Sequence, residues 1–267
     1  MPSSMRVFPQ NSAGAIGHYP IRKRRLSRTV VNECPGGKYY KLSDDAAATV
    51  EWQLRFAGLT DTETATLNSL FQSVEGRLDE FVFLDPTDNL FRYSEKLDEP
   101  VWERNTLLTV SGGIADTAGT ERASRLTNTS AAPLRIEQEL SAPGWFQYAF
   151  SLSARSSQST QMTLFRSAGS EVHQAQHAVG AEWKRLLLSG KLNTTLETVR
   201  FGLEIAPGAA LDVYGLQVEA QVGASAYRKT LSRSGVYPKA RFGSDILELT
   251  AEGPNRHSCN LRIWSRA

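Results

Sequence analysis

At 267 residues the chain has room for one large domain or two ordinary ones, and its 40% hydrophobic and 22% charged content excludes global disorder. A formal net charge of only +2 argues against a dedicated nucleic-acid binder. No apolar run approaches the ~20 residues that a membrane helix needs, so neither nucleic-acid specificity nor membrane insertion is expected.

The N-terminal MPSSMRVFPQ has no apolar stretch that could serve as a signal peptide, and a soluble protein folded in a cytosol is expected. AGAIG at 13–17 is glycine-rich but is not followed by a helix, so it reads as a loop. The single basic cluster, IRKRR with Arg22, Lys23, Arg24 and Arg25, reads as a solvated loop or strand edge, with a phosphate-binding patch as the alternative. KYYKL (38–42) and TVEWQLRF (49–56) have strand composition. In the second, Val50, Trp52, Leu54 and Phe56 share one face, with Glu51, Gln53 and Arg55 on the other.

In GLTDTETATLNSLFQSVEG, Thr60 and Glu63 have capping-box spacing, and Leu67, Leu70, Phe71 and Val74 recur at helical steps. Gly76 is placed to stop this helix in a left-handed conformation. RLDEFVFLDP returns to strand, with Phe81, Phe83 and Leu78 as core candidates and Pro86 ending the pairing. The sheet assembled from residues 1–88 looks incomplete.

Residues 89–230 contain no helix signal beyond a turn near EPVWE. Strand-like runs follow at short spacing: ASRLTN, LRIEQEL, WFQYAFSLSAR, QMTLFRS, VHQAQHAV, EWKRLLLSGKL, TVRFGLEIA and LDVYGLQVEA. Turn material such as SAPG and APGAA separates them, as in an antiparallel sandwich. Phe146, Tyr148, Phe150 and Leu152 form the inward set, while LDVYGLQVEA leaves its faces undecided. At the far end, DILELTAEG and HSCNLRIWSR flank EGPN and predict a terminal hairpin. The fold expected is mainly β. An α+β domain with one helix, residues 1–88 plus 231–267, is interrupted by an antiparallel β-sandwich at 89–230. Cys34 and Cys259 then both belong to the outer domain and read as small buried hydrophobes rather than a redox pair.

NLFRYSEKLDEPVW, WFQYAFSLSAR, EWKRLLLSG and YGLQVEAQVGASAYRKT, in that order, resemble a jelly-roll module of phage tail and tail-fibre proteins that is itself similar to carbohydrate-binding modules. Its closing signature corresponds to Gly215, Gln217, Glu219 and Tyr227. The flanks resemble the N-terminal β-domain of phage distal tail proteins and of their relatives in gene transfer agents. Gly76, Arg77, Phe81, Phe83, Asp85 and Pro86 carry that likeness. The resemblance implies a homo-oligomeric, hexameric ring joining the tail tube protein to tail-tip hub proteins, with the second domain projecting outward. It places the protein in the virion, assembled in the cytoplasm of a bacterial host.

No convincing catalytic set is found, so the protein is not expected to be an enzyme, and no metal or cofactor is expected. His173 and His177 have helical ligand spacing but sit in a strand pattern, where positions four apart lie roughly 13 Å from each other. Asp85 and Asp88 read as turn caps beside Pro86 rather than as a glycosidase pair. The leading expectation is a structural virion protein whose Arg22, Lys23, Arg24 and Arg25 make assembly contacts. The alternative is a receptor- or glycan-binding adhesin acting through 89–230, with Trp145 as the stacking residue and a host surface glycan as partner. Trp102 and Trp183 read as structural.

Overall fold

The computed structural model describes residues 5–266. The first elements are β1 (His18–Cys34), β2 (Lys38–Leu59), helix α1 (Asp61–Ser73) and β3 (Phe81–Leu84). Next come β4 (Glu103–Arg104), β5 (Leu108–Ile114), β6 (Ala123–Asn128), β7 (Leu134–Leu140), β8 (Tyr148–Arg155) and β9 (Thr160–Ala168). β10 (Glu171–Val179), β11 (Lys184–Gly190), β12 (Val199–Ile205) and β13 (Ala210–Glu219) follow, and β14 (Val236–Phe242), β15 (Thr250–Gly253) and β16 (Arg256–Arg266) complete the chain. Contacts group the chain into two compact units. One holds the residues up to Ser12, Gly17–Phe83 and the chain from Tyr237 onward; the other holds Ala13–Ile16 and Leu84–Val236.

In the first unit a six-stranded sheet runs β1-β2-β16-β14-β3, with β15 paired to β16. The alternation in β2 works as expected: Val50, Trp52, Leu54 and Phe56 are buried, joined by Cys259, Leu261 and Ile263 of β16. Phe8 lies within 5.7–6.3 Å of the rings of Phe56, Phe81, Phe83 and Phe242, making one aromatic core. Burying each such ring stabilises by about 1.5–3 kcal/mol. Leu78, expected in this core, is instead 61% exposed, because it falls in the turn before β3.

Helix α1 begins where Thr60, in extended conformation, caps it. The Thr60 hydroxyl accepts from the Glu63 N–H at 3.2 Å, and the Glu63 carboxylate accepts from the Thr60 N–H at 2.8 Å. Leu67, Leu70 and Val74 are buried while Phe71 is half-buried. The helix ends through two consecutive left-handed residues, Glu75 (φ 49°) and Gly76 (φ 65°), with the Gly76 N–H bonded to the Phe71 carbonyl. A Cβ at Gly76 would stand 2.9 Å from an Asp245 carboxylate oxygen, so glycine serves close approach as well as chain reversal.

The second unit is a sandwich of two five-stranded antiparallel sheets, ordered β10-β9-β12-β7-β4 and β11-β8-β13-β6-β5. Phe150 of β8 and Phe201 of β12 meet across it at 6.0 Å, with Phe91 and Trp102 beside them. Phe146, Tyr148, Phe150 and Leu152 are buried, as the inward set requires. The undecided faces of β13 have a physical reason. A bulge between Tyr214 and Gln217, with Gly215 at φ 68°, shifts the phase, so Leu211 and Val213 face the core before it and Leu216 and Val218 after it.

Two buried polar residues tie this unit together. Arg166 is 1% exposed and donates to the Gly190 carbonyl and, at 3.0 Å, to the Lys191 carbonyl, while its other contact is the His173 ring at 2.7 Å. Burial lowers its pKa to about 10, against the pull of Glu171, so it stays charged at neutral pH. Asn89 is fully buried: its amide donates to the carbonyls of Leu216 and Arg228, and its oxygen accepts from the N–H groups of Phe91 and Val218.

Burial pushes the Glu63 carboxyl up, but hydrogen bonds from Ser12 and Thr60 outweigh it and bring the group to about 2 from 4.5. A depressed carboxyl stabilises the fold fully above its unfolded value and loses that contribution as the pH falls through the folded one. Glu63→Ala is therefore expected to cost about 1 kcal/mol at pH 7. In thermal melts the gap to the parent protein should shrink from pH 4.5 down towards 2. Asn89→Ala, which removes four buried hydrogen bonds worth about 1 kcal/mol each, should destabilise the second unit by several kcal/mol in urea titrations.

Candidate assembly surface

β1 and β2 form a hairpin that continues past the six-stranded sheet. Up to Leu26, opposite Thr49, the ribbon follows that sheet; after an irregularity it pairs again from Arg28–Asp44 to Cys34–Lys38. The turn is Pro35-Gly36-Gly37, with Gly36 and Gly37 at positive φ and the Gly37 N–H bonded to the Cys34 carbonyl at 3.1 Å. Strand composition makes the ribbon: Thr29, Val30 and Val31 pair with Ser43, Leu42 and Lys41, and Asn32 and Glu33 with Tyr40 and Tyr39.

Along this arm both faces are exposed. Val31, Tyr39, Tyr40 and Leu42 are 51%, 60%, 62% and 58% accessible. An isolated two-stranded hairpin is marginal in water. The register puts Val30, Tyr40 and Leu42 on one face of the arm and Val31 and Tyr39 on the other, and exposed apolar clusters of this kind mark an interaction surface. β1 also stands at one end of the sheet order, leaving a strand edge open for pairing. Cys34 lies at the arm's tip and is half-exposed, so it is not the buried hydrophobe expected from sequence; Cys259 is, and burial raises its thiol to about 11.

The basic cluster belongs to β1, where alternation divides it. Arg22 and Arg24 share the outer face of the sheet with Gln53 and Glu51, while Lys23 and Arg25 stand opposite Trp52 and Val50. Arg24 lies 3.7 Å from Glu51, and the Lys23 ammonium is 5.9 Å from the Trp52 ring centroid. Arg22, Arg24 and Arg25 are exposed.

In the second unit the aromatic candidates fall outside the strands expected to carry them. β8 starts at Tyr148, so Trp145 sits in the preceding turn, half-buried and edge-on to Phe146 at 6.0 Å. Trp183 precedes β11, half-buried, with the Arg155 guanidinium 4.8 Å over its ring. Trp102 is buried and donates to the Tyr93 carbonyl. On the outward face of the β10-β9-β12-β7-β4 sheet, Phe165 lies over the notch at Gly202, but it is fully buried beneath Arg135, itself held by Glu204 at 2.8 Å. Beside it Arg200 binds Glu103, Glu137 and Glu139. Arg135, Arg200 and these four carboxylates of the face are thus engaged with one another.

The closing signature is a latch. The Tyr227 ring packs over Gly215, the Gln217 side chain accepts from the Arg228 N–H at 2.7 Å, and the Glu219 carboxylate accepts from the Ser225 N–H at 2.9 Å. Asp85 and Asp88 serve turns: Asp85 accepts from the Thr87 N–H and hydroxyl, Asp88 from the Asn89 N–H. His173 and His177 lie on strand β10, and among the described residues no cluster suited to a metal occurs.

No family model and no curated protein matches the sequence, so the distal tail resemblance of the flanks rests on their motifs alone. Solved structures similar in fold include the enzymatically active domain of tailspike protein 4 of bacteriophage CBA120, at 12% identity and TM-score 0.41 over 51% of this chain and 22% of that one. TmCBM61 in complex with β-1,4-galactotriose is 12% identical over 49% of this chain and 97% of its own, with TM-score 0.39. The CBM22-1–GH10 modules of Clostridium thermocellum xylanase 10B, complexed with xylohexaose, are 13% identical over 55% of this chain and 30% of theirs, with TM-score 0.41. These are likenesses of fold, and no residue's role is taken from them.

Because Glu219 holds the latch, Glu219→Gln should leave the sandwich folded but speed proteolysis within 221–230, read by limited digestion and mass spectrometry.

Proposed function

We propose that the protein is a non-catalytic structural component of a phage tail tip or baseplate, and that its first unit self-associates into a ring while the β-sandwich is displayed outward. The observation that carries this reading is the β1–β2 arm, whose tyrosines and aliphatic residues Val31, Tyr39, Tyr40 and Leu42 are each more than half exposed. A surface patch meeting a different patch on the next copy closes a ring when the rotation permits. The arm supplies such a patch, and the open edge of β1 adds backbone donors and acceptors. The sequence motifs of the flanks point the same way.

The variant Tyr39→Ser/Tyr40→Ser/Leu42→Ser tests the arm. Its melting profile should match the parent's, since these side chains are exposed, while sedimentation should show association lost. Association unchanged in this variant would remove the arm from the mechanism.

A second reading, glycan binding by the sandwich, is favoured by the half-exposed Trp145 outside the core. Affinity electrophoresis of the full chain in host polysaccharide gels should then show retardation that Trp145→Ala abolishes. Equal mobility with and without polysaccharide would dismiss this reading.

A further inference from the structure

The outer face of the first unit's sheet carries a site that the arm does not explain. Strand register places Arg22 of β1, Gln53 of β2 and Arg262 of β16 in one row, and Arg55 with Asn260 in the next. These five side chains line a groove of about 390 Å³. Adjacent strands lie about 4.8 Å apart, so the three guanidinium groups arise within roughly 10 Å of one another. All three arginines are exposed, and none has an ion-pair partner among the described residues. Glu51, a carboxylate on this face, is engaged by Arg24 at 3.7 Å and by the Gln53 amide at 3.3 Å, and Glu248 lines the neighbouring pocket with Asn260 and Arg262. The register sets Arg55 diagonal to both Arg22 and Arg262, close enough for one anionic ligand in the groove to meet more than one guanidinium.

We propose that this groove binds an acidic segment of a partner protein, its carboxylates held by Arg22, Arg55 and Arg262 and its peptide groups by the amides of Gln53 and Asn260. Guanidinium forks match carboxylates in bidentate geometry. Side-chain amides both donate and accept, as a peptide backbone requires. No aromatic ring lines the groove, so it lacks the stacking platform of a single-stranded nucleic-acid site. The proposal deepens the assembly reading, on which the partner's place in a tail rests, but the groove itself does not depend on ring formation.

Titration calorimetry of the full chain with hexaglutamate peptide tests it. Binding is expected at low ionic strength, weakening as salt is added. Arg55→Gln/Arg262→Gln should bind at least about tenfold more weakly with an unchanged melt and unchanged oligomeric mass. Glu51→Gln, which removes the competing carboxylate, should bind more tightly and serves as the informative variant if the double substitution fails to fold. Absence of binding, equal affinity in the double variant, no tightening in Glu51→Gln, or tighter binding of a thymidine oligonucleotide of equal charge would each overturn the proposal. A monomeric parent protein that still binds the peptide would count against the ring and leave the groove standing.

Discussion

The first unit depends on one pairing: β16, the last strand of the chain, lies between β2 and β14, in continuous register with β2 from Ser258–Ala57 to Arg266–Thr49. Leu261 and Ile263 reach the core only in that position, beside Leu54 and Trp52. A sheet built from both ends of the chain cannot close until everything between has been made. This constraint accounts for the abrupt join at FVFLDPTDNLFRYSEK, where a strand ends and a new module starts without a linker. The second unit must leave and return at nearly one place. Asn89 provides for that by bonding the segment that leaves, through the Phe91 N–H, and the segment that returns, through the Arg228 carbonyl.

With the core of the sheet closed by β16, the surplus length of β1 and β2 has nothing to pack against. A ribbon that exposes Tyr39, Tyr40, Leu42 and Val31 has a cost in water that the chain alone does not offset. Association with further copies would remove that surface from water. In the sandwich, charged groups are paired with one another: Arg200 holds three carboxylates, and Arg125 and Arg155 share Asp212. Burial pushes Asp212 up, but the hydrogen bonds from Arg125 and Arg155 outweigh it and leave the carboxyl below its usual range.

How much of this is legible in the sequence follows from where burial supplies a pattern. Helix α1 can be read because Thr60 and Glu63 sit at capping-box spacing and its leucines repeat at helical steps. β7 can be read residue for residue because one face is buried. β1 cannot, since its arm buries neither face and therefore carries no alternation. β5 is hidden by Gly112 and Gly113 in its interior. Trp145 and Trp183 continue the strand-like composition of runs whose pairing begins only after them. The arginine groove is illegible for a different reason: Arg22, Arg55 and Arg262 are brought together only by strand register, which no local window contains.

The most direct test of self-association is the mass and shape of the purified full-length protein, by light scattering with negative-stain imaging. Closed rings of uniform size are expected, with a mass that is an integral multiple of 29.4 kDa. A monodisperse monomer at every concentration, with the arm as accessible to protease as a free hairpin, would contradict self-association.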